Sequence, residues 1–163
     1  MSKGQVWSVD FTAASLTFIF MLLLFAIAWR SLDMRWGHAS MYRQMQTDAL
    51  FAADSLLTTP GEPAGWERGD LGEAEAIGLA ASRSVLDSGK LSRLSQENSS
   101  YYLVKERLGV QRYDLGIRIT DLDREETLYE YGVFGTGLND SVSLDRLAIL
   151  DGESVIVRVE VSR

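Results

Sequence analysis

The sequence is dominated by the stretch FTAASLTFIFMLLLFAIAW, from Phe11 to Trp29, which contains 19 residues and no charged side chain. As an α-helix this stretch would span about 28 Å, which is close to the hydrocarbon thickness of a bilayer. It is apolar on every side, so a single core-facing stripe cannot account for it. The stretch therefore predicts a helix that lies in a membrane or in another apolar assembly.

The helical pattern continues beyond this stretch, because no proline follows until Pro60. Apolar residues in this second part recur at intervals of three or four, which places them on one side of a helix; they are Met41, Met45, Ala49, Ala52 and Leu56. The run Thr58-Thr59-Pro60-Gly61 predicts the end of the helix. We therefore expect one helix over residues 5–58, apolar all round over residues 11–29 and amphipathic afterwards.

The remainder of the chain differs in composition. Residues 1–59 carry four basic and four acidic side chains, so the whole formal net charge of −7 falls after Pro60, together with twelve of the 14 glycines. We expect residues 59–72 to form a connector and residues 73–163 to form a globular domain. Residues 73–85 permit a helix, although Gly78 interrupts it, and residues 90–96 and 100–108 predict two short helices.

From Arg112 onwards the apolar period changes from about 3.6 to 2, which is typical of strands. Residues 113–120, 128–133, 141–150 and 155–162 predict four strands, and Asp151-Gly152 predicts a hairpin between the last two. Arg158 alternates with the valines around it, which predicts that the valine side of this strand faces inward. The pattern indicates an α+β fold in which an antiparallel meander is covered by the amphipathic part of the helix.

Composition also limits the function. The chain has no Cys and one His, which excludes disulfides, thiolate nucleophiles and Cys-based zinc sites. Its acidic balance argues against a nucleic-acid binder, because phosphate neutralisation needs clustered Lys and Arg. No nucleophile–base arrangement or phosphate-binding loop is evident. We therefore expect no enzymatic activity and no cofactor.

Three interpretations of the N-terminus compete. A secretory signal peptide would use Ala26-Ile27-Ala28 as its cleavage site, but Asp10 precedes the apolar stretch and Lys3 is the one basic residue before it. A plain signal anchor is the second interpretation, and Arg30 and Arg35 after the stretch do not favour its usual orientation. The third interpretation depends on Lys3-Gly4-Gln5, which directly precedes the apolar region.

Through Lys3-Gly4-Gln5 and the long helix that follows, the first 60 residues resemble the precursors of archaeal type IV pilins and pilin-like proteins, which carry class III signal peptides. The resemblance implies that a prepilin peptidase removes residues 1–4 by cutting between Gly4 and Gln5. It also implies that the apolar helix is retained, first in the cell membrane and then in the core of an extracellular filament. The residues that would line that core include Phe11, Phe18, Leu22, Leu23, Phe25 and Trp29.

The resemblance implies a structural subunit of a surface filament for adhesion or attachment, with copies of itself or related pilins as partners. The alternative is a monomeric membrane-anchored binding or sensor domain outside the cytoplasm. In the pilin family an acidic residue near the mature N-terminus pairs with the amine of a neighbouring subunit. Here Asp10 is one position later than in bacterial pilins, so helix capping or an interfacial charge is an equal alternative.

Two further patterns concern the acidic part of the chain. Asn98 and Asn139 begin Asn-X-Ser triplets, which are acceptors for N-glycosylation in an extracytoplasmic domain. Asp121, Asp123 and Glu125 form an acidic cluster between two predicted strands, and oxygen-rich loops of this kind can hold calcium. The cluster lacks the spacing of an EF-hand loop, so a solvated hairpin tip is the preferred interpretation and a metal site the weaker one.

Overall fold

The computed structural model describes residues 3–96, 100–135 and 140–163, and it describes side chains from Val9 onwards apart from residues 31–39. The first helix, α1, extends from Lys3 to Thr58. The chain divides into two compact units, one ending at Met41 and the other comprising Tyr42–Arg163. The fold is α+β, with an N-terminal apolar helix and a C-terminal sheet, as the sequence predicts at this level.

The end of α1 follows from its sequence. The hydroxyl of Thr59 donates to the carbonyl of Ser55 at 2.8 Å, so one of the last helical carbonyls gains a side-chain partner. Pro60 has no backbone N–H with which to extend the helix. Within the second unit, four residues of the predicted apolar stripe are almost completely buried; these are Met45, Ala49, Ala52 and Leu56.

The connector after α1 is held by Trp66, which is 1% exposed and donates from its indole Nε1 to the carbonyl of Gly78 at 2.9 Å. Two 3-10 turns, Trp66–Arg68 and Leu71–Glu73, precede two short strands, β1 (Ala80–Ser82) and β2 (Val85–Leu86). No α-helix forms over residues 73–85, where the sequence permitted one apart from the interruption at Gly78. A Cβ at Gly78 would lie 2.0 Å from the carbonyl oxygen of Thr59. Because no side chain fits there, only glycine allows the backbone to pass this close to the end of α1.

Two short helices follow, as the sequence predicts. They are α2, Ser88–Gln96, and α3, Tyr101–Arg107. A carboxylate oxygen of Asp87 accepts the backbone N–H of Gly89 at 2.8 Å, which stabilises the start of α2. The predicted apolar positions Leu91 and Leu94 of α2 are both buried.

The remaining strands are β3 (Asp114–Asp121), β4 (Thr127–Gly132), β5 (Ser141–Leu150) and β6 (Glu153–Ser162). The sheet order is β1-β2-β5-β6-β3-β4, so β6 pairs with both β5 and β3 while β4 lies at an edge. The expected meander, in which β4 would pair with β5, is therefore wrong. The strand with the most continuous apolar face takes the central position, where both of its neighbours protect it from water. The sheet is also mixed, because β2 runs parallel to β5.

The two faces of the sheet confirm the predicted orientation of β6. Val155, Val157, Val159 and Val161 are fully buried, whereas Arg158 lies on the opposite, exposed face. The turn between β5 and β6 has positive φ at Asp151 (52°) and Gly152 (90°). Asp-Gly tolerates this conformation, which matches the right-handed twist of a two-residue hairpin.

Candidate functional site

The strongest functional feature is the apolar segment Val9–Arg30 of α1. Its 22 residues are long and apolar enough to cross a membrane. Six residues predicted to line a membrane or filament core are each more than half exposed within the chain itself; they are Phe11, Phe18, Leu22, Leu23, Phe25 and Trp29. A surface of this kind is unfavourable in water, so it requires lipid or another protein surface around it.

Asp10 is the acidic residue next to this segment, and it is exposed. Because α1 already begins at Lys3, Asp10 lies about two turns inside the helix and is not its N-cap. The capping interpretation of Asp10 is therefore wrong. An interfacial charge and pairing with a neighbouring chain both stay predictions for Asp10.

The residues of the predicted cleavage site lie in the first turn of α1, where the backbone of Gly4 and Gln5 is helical. The side chain of Gln5 lies outside the described part of the chain. Both predicted glycosylation positions, Asn98 and Asn139, are also outside the described residues.

Asp121, the last residue of β3 and the first of the acidic cluster, has a structural role. Its Oδ1 accepts the backbone N–H groups of Asp123 at 2.9 Å and Arg124 at 2.8 Å, and its side chain is buried. The hydrogen bond from the Arg124 backbone is the main cause that lowers the pKa of Asp121. This carboxylate therefore stabilises the turn. Among the residues that the structure describes, no group of three acidic or histidine side chains could hold a metal ion.

A polar cluster under α3 was not predicted from the sequence. Lys105 is buried, and its ammonium lies 5.2 Å from the centre of the Tyr101 ring and 3.4 Å from Asp114 Oδ1. The Tyr101 hydroxyl accepts the backbone N–H of Leu115 at 2.8 Å, and burial of Tyr101 is the main cause that raises its pKa. The spacing of four residues between Tyr101 and Lys105 is the signal that could have placed both on one side of a helix. The cluster joins α3 to the start of β3.

A second unpredicted feature is apolar exposure on α1 within the Tyr42–Arg163 unit. Phe51 is 68% exposed and Leu50 is 42% exposed, although neighbouring positions of the same helix are buried. The sequence contains the signal, because both residues fall outside the apolar stripe that ends at Leu56. Apolar exposure on this helix is therefore not confined to the first unit.

Comparisons of the chain with protein-family profiles, with curated protein sequences and with solved structures find no match. The functional interpretation therefore depends on the physical chemistry of the apolar segment and on the sequence around Gly4.

Proposed function

We propose that the chain is a structural subunit of a type IV pilus-like surface filament, held in the membrane by its apolar helix before assembly. The observation that carries the proposal is the exposed apolar segment Val9–Arg30. This segment belongs to the same helix, α1, whose last residues are part of the α+β unit. In a filament outside the membrane, packing these segments together would keep their apolar surface out of water, which is worth about 25 cal/mol for each Å². The same segment would be equally well covered by lipid before assembly.

The leader Met1–Gly4 indicates how the chain would be processed before assembly. Cleavage between Gly4 and Gln5 by a prepilin peptidase would leave the apolar segment at the start of the mature chain. Glycine before the cut has no side chain, so an enzyme can approach the backbone closely. Exposed Phe51 and Leu50 support assembly as well, because these large apolar side chains on the Tyr42–Arg163 unit would also gain from cover by a neighbouring chain.

The test is mass spectrometry of the mature N-terminus in protein isolated from its native host, together with its recovery in sheared surface filaments. We expect a chain that begins at Gln5 and sediments with filaments, and we expect Gly4→Leu to stop the cleavage. Val6→Ala, two residues after Gly4, is the matched control and should be processed normally. A chain that begins at Trp29 would identify a secretory signal peptide and reject the proposal. A processed chain that stays monomeric in the membrane would favour the anchored binding or sensor domain instead.

A further inference from the structure

Strand β5 has one paired edge and one open edge. It pairs with β6 along its whole length, from Ser141 to Leu150. On its other side, within the described part of the chain, only Ile149 and Leu150 pair with a strand, which is β2. Residues 141–148 therefore present a row of backbone groups that no strand of the described sheet covers. Such an edge is a template for pairing with another chain.

The hydrogen bonds show which residues face this edge. The N–H of Ile149 donates to the carbonyl of Ser84 at 2.8 Å, on the side of β2. Because backbone direction alternates along a strand, residues 141, 143, 145 and 147 direct their N–H and C=O groups to the same side. Arg163 donates its N–H to the Asp140 carbonyl at 3.1 Å, so the pairing with β6 continues to Asp140.

Burial changes along β5 in parallel with this pairing. On its inward face, Ala148 and Leu150 are buried where β2 lies alongside the strand. Val142 and Leu144, farther from β2, are only half-buried. An additional strand at the open edge would therefore cover apolar side chains as well as backbone groups.

We propose that the open edge of β5 pairs with the same edge of a second copy of the chain, antiparallel, about a twofold axis at Ser143. In this register Ser143 lies opposite its own counterpart, and Ser141 lies opposite Asp145 of the second copy. Residues 141, 143 and 145 of the two chains would form about six backbone hydrogen bonds, two for each hydrogen-bonded pair.

Side-chain chemistry selects this register. On the inward face it places Val142 opposite Leu144 and Asp140 opposite Arg146, and the twofold axis repeats each pair. A twofold axis at Leu144 would instead place Val142 opposite Arg146. A twofold axis at Asp145 would bring two carboxylates together, which is unfavourable for residues directly opposite each other.

Arg146 is available for this contact. It lies 4.0 Å from Asp54 of α1, at the limit of an ion pair, and its side chain is 39% exposed. A guanidinium group has five donors and can serve both carboxylates. The contact joins the Tyr42–Arg163 units and does not depend on the apolar segment or on the proposed filament.

Because the chain has no Cys, Ser143→Cys introduces one thiol at the proposed axis. Opposite residues in a hydrogen-bonded pair have Cα atoms about 5.5 Å apart, which lies within the range of a disulfide. We expect mild oxidation of the full chain in detergent micelles to give disulfide-linked dimers. Ser141→Cys is the matched control, since it lies on the same exposed edge but opposite Asp145, and it should give only background cross-linking. Equal cross-linking of the two variants would overturn the proposal.

The proposed ion pair between Asp140 of one copy and Arg146 of the other provides a second test. In the Ser143→Cys background, Asp140→Arg should reduce the yield of dimer severalfold, because it places two cations opposite each other. Adding Arg146→Asp should restore the yield of dimer, because the positive and negative charges then face each other again with their positions exchanged. Circular dichroism of each variant checks that the sheet is intact. Cross-linking that is unchanged by Asp140→Arg would overturn the register and the proposal with it.

Discussion

Between Val9 and Arg30, apolar side chains cover every side of α1 and remain exposed, whereas between residues 42 and 58 most of them are confined to one buried side. The second part finds its apolar partners within its own unit, and so it contributes to folding. The first part finds no such partner within its unit, so lipid or another protein must provide one. The same secondary structure therefore contributes to folding in one region, whereas in the other we propose that it serves membrane location or assembly.

The largest expected effect is on the stability of the Tyr42–Arg163 unit. Leu56 is fully buried, so Leu56→Ala should lower the free energy of unfolding by about 2–5 kcal/mol through lost burial and the cavity left behind. Urea unfolding of the full chain in detergent micelles, followed by near-ultraviolet circular dichroism, measures the change.

Phe51→Ala is the matched control for Leu56→Ala, because it removes a larger side chain from the exposed side of the same helix. Its cost should stay within about 0.5 kcal/mol, as for other surface substitutions. Similar costs for the two variants would show that this part of α1 does not have distinct buried and exposed sides.

The second prediction concerns the apolar segment. Leu23→Arg places a charge near its middle, which costs about 2.5–3.5 kcal/mol for insertion into a bilayer. We expect a larger fraction of the chain to be extracted from membranes by alkaline carbonate. The unfolding of the Tyr42–Arg163 unit should be unchanged, because Leu23 lies outside it.

Phe51→Arg introduces the same charge at an exposed apolar position outside the segment, and it should leave membrane extraction unchanged. Equal extraction of Leu23→Arg, Phe51→Arg and the parent chain would mean that Val9–Arg30 does not enter the bilayer. Loss of the sheet signal in Leu23→Arg would contradict the separation of the two regions.

Local periodicity made much of this fold predictable. The steps of three and four residues from Met45 to Leu56 identified the buried side of α1, and alternation around Arg158 identified the inward valines. Asp151-Gly152 identified the β5–β6 hairpin because so few residues adopt positive φ in succession. Each of these signals is local and repeats within a few residues.

Strand order was not predictable in the same way. The position of β6 between β5 and β3 depends on pairing between residues far apart in sequence, and a period of 2 is the same for a central and an edge strand. β1 and β2 contain only three and two residues, too few to show a period. The open edge of β5 follows from this order, so it too became evident only in the structure. The apolar segment, in contrast, was predictable from the sequence, because its composition alone identified it.

The smallest expected effect lies on the exposed face of the sheet, in the cross-strand pair of Asp145 and Arg158. Two bonds of 2.7 Å join the guanidinium to the carboxylate, and they lower the pKa of Asp145. Because both side chains are nearly half exposed, Asp145→Asn should cost only about 0.2–1 kcal/mol at neutral pH.

The pH dependence distinguishes this pair from a buried apolar contact such as that of Leu56. A lowered pKa in the folded state means that the ionised Asp145 stabilises the fold above its ordinary pKa of about 3.9, and that this contribution is lost as the pH falls through the lowered value. The difference in unfolding free energy between the parent chain and Asp145→Asn should therefore be constant above about pH 5 and should shrink below about pH 4. Urea unfolding at several pH values measures it, and added salt should also reduce the difference at neutral pH. A difference that persists at low pH and in high salt would mean that Asp145 acts through packing or geometry, as Leu56 does, and not through its charge.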